Sequence, residues 1–154
     1  MTSPRQPLTT TMEDYLEAIA WLIDDKGVAR VRDIAASLDV HKSTVTAALR
    51  SLAEKELVNY SAYEAATLTP EGRRLAEDVI RRHEIVRKFF IEVLALDDEV
   101  ADANACRMEH VLDAAVLDRL AHFAEAVRAC PSAEKLCLKQ FKAKGLQSRK
   151  RPRA

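Results

Sequence analysis

Glycine and aromatic residues are scarce in this chain of 154 residues. It has three Gly, no two of them within ten residues of each other, and 5% aromatic residues. Glycine-rich phosphate loops and dinucleotide fingerprints need closely spaced glycines, so kinase, P-loop and Rossmann chemistry are excluded. Few glycines also leave little room for the turns of an all-β sandwich. The composition therefore favours a mainly α-helical fold.

Cysteine is also scarce, and long apolar runs are missing. The three Cys make an odd number with no C-x-x-C pair, which argues against a disulfide scaffold and favours a reducing compartment. The longest apolar run, near residues 18–23, is too short to span a bilayer. The N-terminus lacks the apolar core of a signal peptide. We expect a cytoplasmic protein with no membrane partner.

Hydrophobic periodicity predicts a winged helix over residues 12–73, after a flexible N-terminal segment over 1–11. Two short helices joined by a three-residue turn form a helix-turn-helix pattern, and two β-prone segments then form a small hairpin, the wing. The predicted helices cover 12–25, 32–38 and 42–55, and the predicted strands lie within 57–60 and 66–68.

A helical domain is predicted over residues 74–143. Its first helix begins at Pro70, because Thr69 can cap it and Glu71 complements the helix dipole, and it continues to residue 94. Further helices are predicted over 98–111, 114–127 and 132–142. They carry more apolar surface than a small bundle buries alone, so we expect a homodimer. Residues 144–154 form a basic tail, either solvated or in contact with a polyanion.

One face of the second helix of the helix-turn-helix is suited to DNA. Small hydroxyl side chains and two cations lie opposite the apolar stripe, and no acid occurs between residues 41 and 52. Such groups hydrogen-bond phosphates or base edges. The alternative is an ordinary solvated helix face. The predicted DNA-binding residues are Lys42, Ser43, Thr44, Thr46 and Arg50.

Three segments offer side chains that bind divalent metals. Asp14 and Glu17 share one face of the first helix, although acids there also simply offset the dipole. His83 falls in phase with the buried stripe of the long helix, where a hydrogen-bonded core histidine is the alternative. Cys106, Glu109 and His110 form a C-x-x-E-H motif, whose alternative is a buried Cys, a surface Glu and a core His. Together the six groups could serve one octahedral ion or two neighbouring ions.

Five motifs, in order along the chain, resemble the diphtheria-toxin-repressor and manganese-transport-regulator family of metal-dependent repressors. The resemblance covers residues 12–127. The motifs are MEDYLEAI (12–19), VRDIAASLDVHKSTVTAALRSL (31–52), LTPEGRRLA (68–76), RRHE (81–84) and CRMEHVL (106–112).

The resemblance implies a homodimer with an N-terminal winged helix and a C-terminal helical dimerisation domain, which binds a double-stranded DNA operator when Mn²⁺ or Fe²⁺ is present. Carried over by position, the metal ligands are Asp14, Glu17, His83, Cys106, Glu109 and His110.

Three positions bear on the choice of metal. Asp14 resembles the manganese branch, whereas Cys106 resembles the iron branch. Arg87 stands where iron-type members carry an acidic ancillary ligand, which argues against a second site of the iron type. The chain length resembles the manganese branch, without the SH3-like domain of the iron branch. We expect Mn²⁺, with Fe²⁺ as the alternative.

Three other function classes are alternatives. One is a winged-helix regulator that senses a small organic ligand or oxidation at Cys106. A second is an enzyme, which neither an HExxH motif nor a nucleophile elbow supports. The third is an assembly module whose helices only dimerise, and the uncharged-to-basic recognition face argues against it. The sequence therefore predicts a metal-dependent repressor that controls manganese or iron homeostasis genes.

Overall fold

The computed structural model describes residues 8–130, and it divides into two compact units at Ile80 and Arg81. The predicted helix over 132–142 and the basic tail over 144–154 lie outside the described residues. The structure confirms the mainly α fold class. The helices are α1 (Thr10–Lys26), α2 (Val31–Leu38), α3 (Lys42–Glu54), α4 (Pro70–Lys88), α5 (Asp98–Met108) and α6 (Ala114–Ala129), and the strands are β1 (Val58–Asn59) and β2 (Thr67–Leu68).

Helix α1 begins earlier than expected. We predicted a flexible segment over 1–11, but Thr10 and Thr11 are already helical. Thr9 is the N-cap, and its hydroxyl accepts a hydrogen bond from the Met12 backbone N–H at 3.3 Å. This satisfies one of the free amides of the first turn. The run of threonines is therefore a helix start.

Helices α2 and α3 form the predicted helix-turn-helix. Asp39 ends α2 in the left-handed conformation, with φ at 52°, and its N–H bonds to the Ala35 carbonyl. Aspartate tolerates this conformation better than most residues, so the turn closes without glycine. Helix α1 packs against both α2 and α3. Their shared core includes Ile19, Ile34 and Leu49, all fully buried.

The wing is a short antiparallel hairpin. Val58 pairs with Leu68 and Asn59 with Thr67, and an isolated bridge joins Ala29 to Ala66. Thr69 then fastens α4 to this hairpin. Its hydroxyl accepts a hydrogen bond from the Gly72 N–H at 3.0 Å. It donates one to the backbone carbonyl of Glu56 at 2.8 Å, in the turn between α3 and β1. The predicted cap of α4 is confirmed.

The long helix extends about as far as predicted, with Leu94 as its C-cap, but its last turn is not α-helical. Helix α4 ends at Lys88, and Phe89–Val93 form a π-helical segment, in which the Leu94 N–H bonds to the Phe89 carbonyl. The widened turn buries Val93. In this second unit Val86, Ala105 and Leu117 form the centre of an apolar cluster.

Helix α5 also ends earlier than predicted, at Met108 instead of Val111. Glu109 is its C-cap, and the N–H groups of Val111 and Leu112 both bond to the Met108 carbonyl. The chain turns here because Asp113 is already the N-cap of α6. The C-x-x-E-H motif therefore lies across a helix end. Among residues 8–130, no helix is both long and apolar enough to cross a membrane.

Gly72 generates the first prediction, because a Cβ added there would lie 1.8 Å from the Leu57 carbonyl oxygen. Alanine is normally the better helix former by about 1 kcal/mol. Here the clash must move α4 away from Leu57, the residue before β1, and overpacking of this kind destabilises a protein by about 1–3 kcal/mol. We expect Gly72→Ala to lower the free energy of unfolding by about 2 kcal/mol in urea denaturation.

The control is Glu77→Ala, an exposed position of the same helix, which should change stability by less than about 0.5 kcal/mol. A Gly72→Ala protein as stable as the wild type would contradict the close approach of α4 to the wing.

Candidate metal centre and nucleic-acid interface

His83 lies between two carboxylates of the second unit. It is on α4, and its side chain is 10% exposed. Nδ1 lies 2.6 Å from Oε2 of Glu109, and Nε2 lies 3.0 Å from Oδ1 of Asp102. Both ring nitrogens therefore have an acidic partner. His83 is a buried, hydrogen-bonded histidine, as the alternative described, and its partners are themselves groups that can bind a metal.

Glu109 is the most buried charged group of this cluster, at 0% exposure. Its Oε1 has no hydrogen-bond partner among residues 8–130, although Nε2 of His110 lies 3.1 Å away. The His110 side chain is itself only 2% exposed. A buried carboxylate oxygen without hydrogen bonds is costly unless a cation compensates it.

The short distance between His83 and Glu109 also fits a cation. If Nε2 carries the hydrogen that faces Asp102, a neutral imidazole presents the bare lone pair of Nδ1 to a carboxylate oxygen 2.6 Å away. Two acceptors at this distance repel unless they share a proton, and a metal ion that binds both atoms takes the place of that proton. The donor set of imidazole nitrogens and carboxylate oxygens is one that Mn²⁺, Fe²⁺ and Zn²⁺ all use.

Cys106 is on the last turns of α5, and its side chain is exposed. Its sulfur lies within 4.8 Å of a carboxylate oxygen of Glu109. The sequence-level alternative placed a buried Cys beside a surface Glu, and the structure shows the reverse. The second unit thus brings together four of the six predicted ligands, which are His83, Cys106, Glu109 and His110.

The other two predicted ligands, Asp14 and Glu17, lie on α1 in the first unit. Both are half-buried, and the indole N–H of Trp21 donates to Oε1 of Glu17 at 3.4 Å. Tyr15, between them in sequence, faces the core instead. Burial raises the pKa of its hydroxyl, so this residue stays neutral.

The sequence-level ligand set omitted two contacts. Asp102 was not assigned to the site, although its position one turn before Cys106 and two turns before Glu109 indicates that it shares their face. Arg82 donates from Nη1 to the Glu109 backbone carbonyl at 3.1 Å. Nothing in the sequence indicates that contact, because it depends on α5 ending at Met108.

The predicted DNA-binding residues lie on α3. Lys42, Ser43, Thr44 and Arg50 are exposed, opposite the buried Val45 and Leu49. Thr46 is half-buried, and its hydroxyl donates to the Lys42 carbonyl at 3.0 Å. Its donor is therefore already used within the helix, and its methyl group and lone pairs are what it can offer to DNA.

Fold and site together define a class. A winged helix with a basic, hydroxyl-rich second helix is a DNA-binding module. The second unit adds a buried cluster of metal-competent side chains, in which one carboxylate oxygen has no hydrogen bond among residues 8–130. The protein is thus a winged-helix DNA-binding protein whose second unit carries a candidate metal centre.

Comparisons with known proteins support this class. Residues 7–66 match the model of the iron dependent repressor N-terminal DNA binding domain, and residues 69–137 match that of the iron dependent repressor metal binding and dimerisation domain. The chain is 38% identical over 112 residues to the HTH-type transcriptional regulator MntR of Bacillus pumilus. The aligned residues make up 73% of this chain and 77% of the relative. The same regulator of Geobacillus kaustophilus is equally similar, with 79% of its length covered.

Solved structures show the same fold. The manganese regulator SloR is 25% identical with a TM-score of 0.67, and covers 80% of this chain and 58% of its own. A manganese-dependent transcriptional repressor in complex with manganese is 28% identical with a TM-score of 0.67, and the match covers 74% of this chain and 52% of that structure's chain. IdeR of T. acidophilum is 27% identical with a TM-score of 0.66, and covers 75% and 53%. This chain thus spans just over half the length of these three structures.

The chain belongs to the iron-dependent repressor family, which includes the MntR regulators. It is a metal-dependent, DNA-binding transcriptional regulator and not an enzyme. The comparisons support this function and not the alternative of a regulator that senses an organic ligand or oxidation at Cys106.

The burial of Glu109 generates the second prediction. Mn²⁺ should raise the melting temperature of the wild type, because a ligand at one hundred times its dissociation constant stabilises the folded state by about 2.7 kcal/mol. Glu109→Gln should lose most of this increase, since a neutral amide oxygen is a weaker ligand than a carboxylate. Differential scanning fluorimetry with and without Mn²⁺ measures this increase in melting temperature for both proteins.

Glu125→Gln is the control, since Glu125 is an exposed carboxylate on α6. It should keep the full increase. The same increase in Glu109→Gln would exclude this carboxylate from the metal centre.

Proposed function

We propose that this protein is a homodimeric repressor that binds operator DNA in the cytoplasm when Mn²⁺ is available, with Fe²⁺ as the alternative activator, and that it controls genes of manganese or iron homeostasis. The observation that carries this proposal is the fully buried Glu109, which lies between His83 and His110 with one oxygen lacking a hydrogen bond among the described residues.

We propose the six-residue ligand set that the resemblance implies. His83, Glu109 and His110 form its buried part and Cys106 its exposed edge. Asp14 and Glu17 complete it from α1, as the resemblance implies. A bound divalent ion supplies the positive charge that this carboxylate-rich set lacks.

Oxygen ligands favour manganese over softer ions. Asp14, Glu17 and Glu109 offer hard carboxylate oxygens, which suit Mn²⁺, whereas the thiolate of Cys106 suits softer ions. The two relatives at 38% identity are named MntR, and two of the similar structures are a manganese regulator and a manganese-dependent repressor. Three carboxylates against one thiolate put Mn²⁺ first.

Packing inside the first unit explains how α1 can influence DNA binding. Helix α1 contacts both helices of the helix-turn-helix, through side chains such as Ile19 that are fully buried. A metal ion that binds Asp14 and Glu17 therefore fixes α1, the helix against which α3 packs. In a dimer this sets the separation of the two recognition helices, which must match about 34 Å or a multiple of it.

Charge acts in the same direction. Residues 1–72 carry seven Lys and Arg against eleven Asp and Glu, a net charge of −4, which repels DNA. Neutralising Asp14 and Glu17 lowers this repulsion, while Lys42 and Arg50 stay exposed on α3. To convert a rare active state into the dominant one, the ion must prefer that state by about 5.5 kcal/mol.

The direct test is DNA binding with and without metal. Because the operator is not known, duplexes are selected from a random pool with Mn²⁺ present, and fluorescence anisotropy then measures affinity for the selected sequence. We expect at least a hundredfold loss of affinity when a chelator removes Mn²⁺, because the active state is then rarely populated.

Arg50→Ala separates the DNA interface from the metal centre. This variant should still be stabilised by Mn²⁺ but should bind the operator less tightly, with a salt dependence reduced by about one counterion if Arg50 contacts a phosphate. Equal wild-type affinity in Mn²⁺, in Fe²⁺ without oxygen and in chelator would overturn the proposal of metal control.

The thiol generates a further prediction. Cys106→Glu replaces a soft ligand by a hard one on the exposed edge of the cluster, where a longer side chain can be accommodated. The ratio of Mn²⁺ affinity to Zn²⁺ affinity should rise at least tenfold, as measured by competition with a fluorescent chelator. Cys130→Ser, at a half-buried position at the end of α6, is the control and should leave the ratio unchanged. An unchanged ratio in Cys106→Glu would exclude the thiol as a ligand.

A further inference from the structure

Two side chains next to the cluster, Asp102 and Arg87, have no place in the proposed ligand set. Asp102 Oδ1 lies 3.0 Å from Nε2 of His83. Arg87 Nε lies 3.7 Å from the same oxygen, and its Nη2 donates to Asp98 Oδ1 at 3.3 Å. Contacts thus run from Asp98 through Arg87 and Asp102 to His83, all inside the second unit.

The order of these contacts matters for the imidazole. A neutral histidine has one N–H and one lone pair, and only the nitrogen with the lone pair can bind a metal. Here both ring nitrogens face carboxylate oxygens, Nε2 that of Asp102 and Nδ1 that of Glu109 in the buried cluster. A hydrogen on Nε2 satisfies Asp102 and leaves Nδ1 for an ion.

We propose that Asp102 is a positioning residue of the metal centre. It keeps the hydrogen of His83 on Nε2 and the Nδ1 lone pair directed at Glu109, and Arg87 holds the Asp102 carboxylate in place. The inference rests on the proposed function, because it assigns Nδ1 as the metal-binding atom. Carboxylates that accept from a ligand histidine typically contribute ten- to hundredfold in metal affinity.

Exposure sets the size of each effect. The Asp102 side chain is 61% exposed and that of Asp98 is 77% exposed, so water screens both ion pairs of Arg87. The contact of Asp102 with a histidine that is 10% exposed is better protected. We therefore expect the lower end of the range for Asp102, about tenfold, and only two- to threefold for Arg87.

The first measurement needs no metal. In the full-length wild type labelled with ¹⁵N-histidine, the Nε2–H of His83 should give a visible cross-peak that exchanges slowly with solvent, because Asp102 holds that hydrogen. Asp102→Ala should lose this cross-peak, and Asp102→Glu should restore it, because the longer carboxylate still reaches Nε2 from an exposed position. A peak unchanged in Asp102→Ala, or absent from the wild type, would overturn the proposal.

The second measurement is Mn²⁺ affinity, from the electron paramagnetic resonance signal of free Mn²⁺. We expect Asp102→Ala to bind about tenfold more weakly and Asp102→Glu to recover within about threefold. Glu99→Gln removes one carboxylate from the same helix, at an exposed position, and should change affinity less than threefold. An equal loss in Glu99→Gln and Asp102→Ala would mean that net charge, not the contact with His83, is responsible.

A double-mutant cycle tests Arg87. Arg87→Gln should weaken Mn²⁺ binding two- to threefold in the wild type and should have no such effect in Asp102→Ala, because Arg87 acts only through Asp102. Removal of a positive charge acting through space would instead strengthen binding in both backgrounds, and that result would exclude Arg87 from the relay.

Failure of the inference and failure of the proposed function give different results. A wild type that binds no Mn²⁺ contradicts the proposed function, while the metal-free spectra still report whether Asp102 holds His83. If the wild type and Asp102→Ala bind Mn²⁺ with equal affinity, only the positioning role of Asp102 is contradicted.

Discussion

The carboxylate of Glu109 is the constraint on which the second unit depends. A side chain with no exposed surface and a negative charge is tolerated only where positive charge or hydrogen bonds surround it. His83 and His110 supply part of that compensation, and one oxygen keeps no hydrogen bond among residues 8–130. The fold thus retains a local deficit of positive charge, which a divalent cation can remove. This unfavourable burial is what supports the proposed metal centre.

Most of the fold could be predicted from the sequence, because its signals are local. The cap at Thr69, the apolar spacing of α2 and α3 and the β-prone segments all act within a few residues, and the structure has each of them. The sequence predicts a flexible segment over residues 1–11, whereas in the structure Thr9 caps α1. The π-helical segment after Lys88 was not predicted, because its extra residue per turn comes from packing that buries Val93 and not from any local signal.

The candidate site was predictable in composition more than in arrangement. Residue types and spacing pointed to His83, Glu109 and His110, and the second unit brings them together. The sequence could not show that α5 ends at Met108, since this depends on where the chain must turn towards α6. The contacts of Asp102 with His83 and of Arg82 with the Glu109 carbonyl follow from that tertiary arrangement, so they had no clear sequence signal.

Helix α4 connects the two halves of this chemistry along the covalent chain. Its first turn is fastened to the wing by the Thr69 hydroxyl and by the close approach of Gly72 to the Leu57 carbonyl. His83 follows 14 residues after Thr69, about 20 Å along the helix axis. Gly72 and His83 thus lie on one helix, about three turns apart, although they belong to different units. The two ends of α4 therefore answer to separate constraints: near its start the contact with Leu57 excludes a Cβ, and near its end the contact with Glu109 fixes an imidazole.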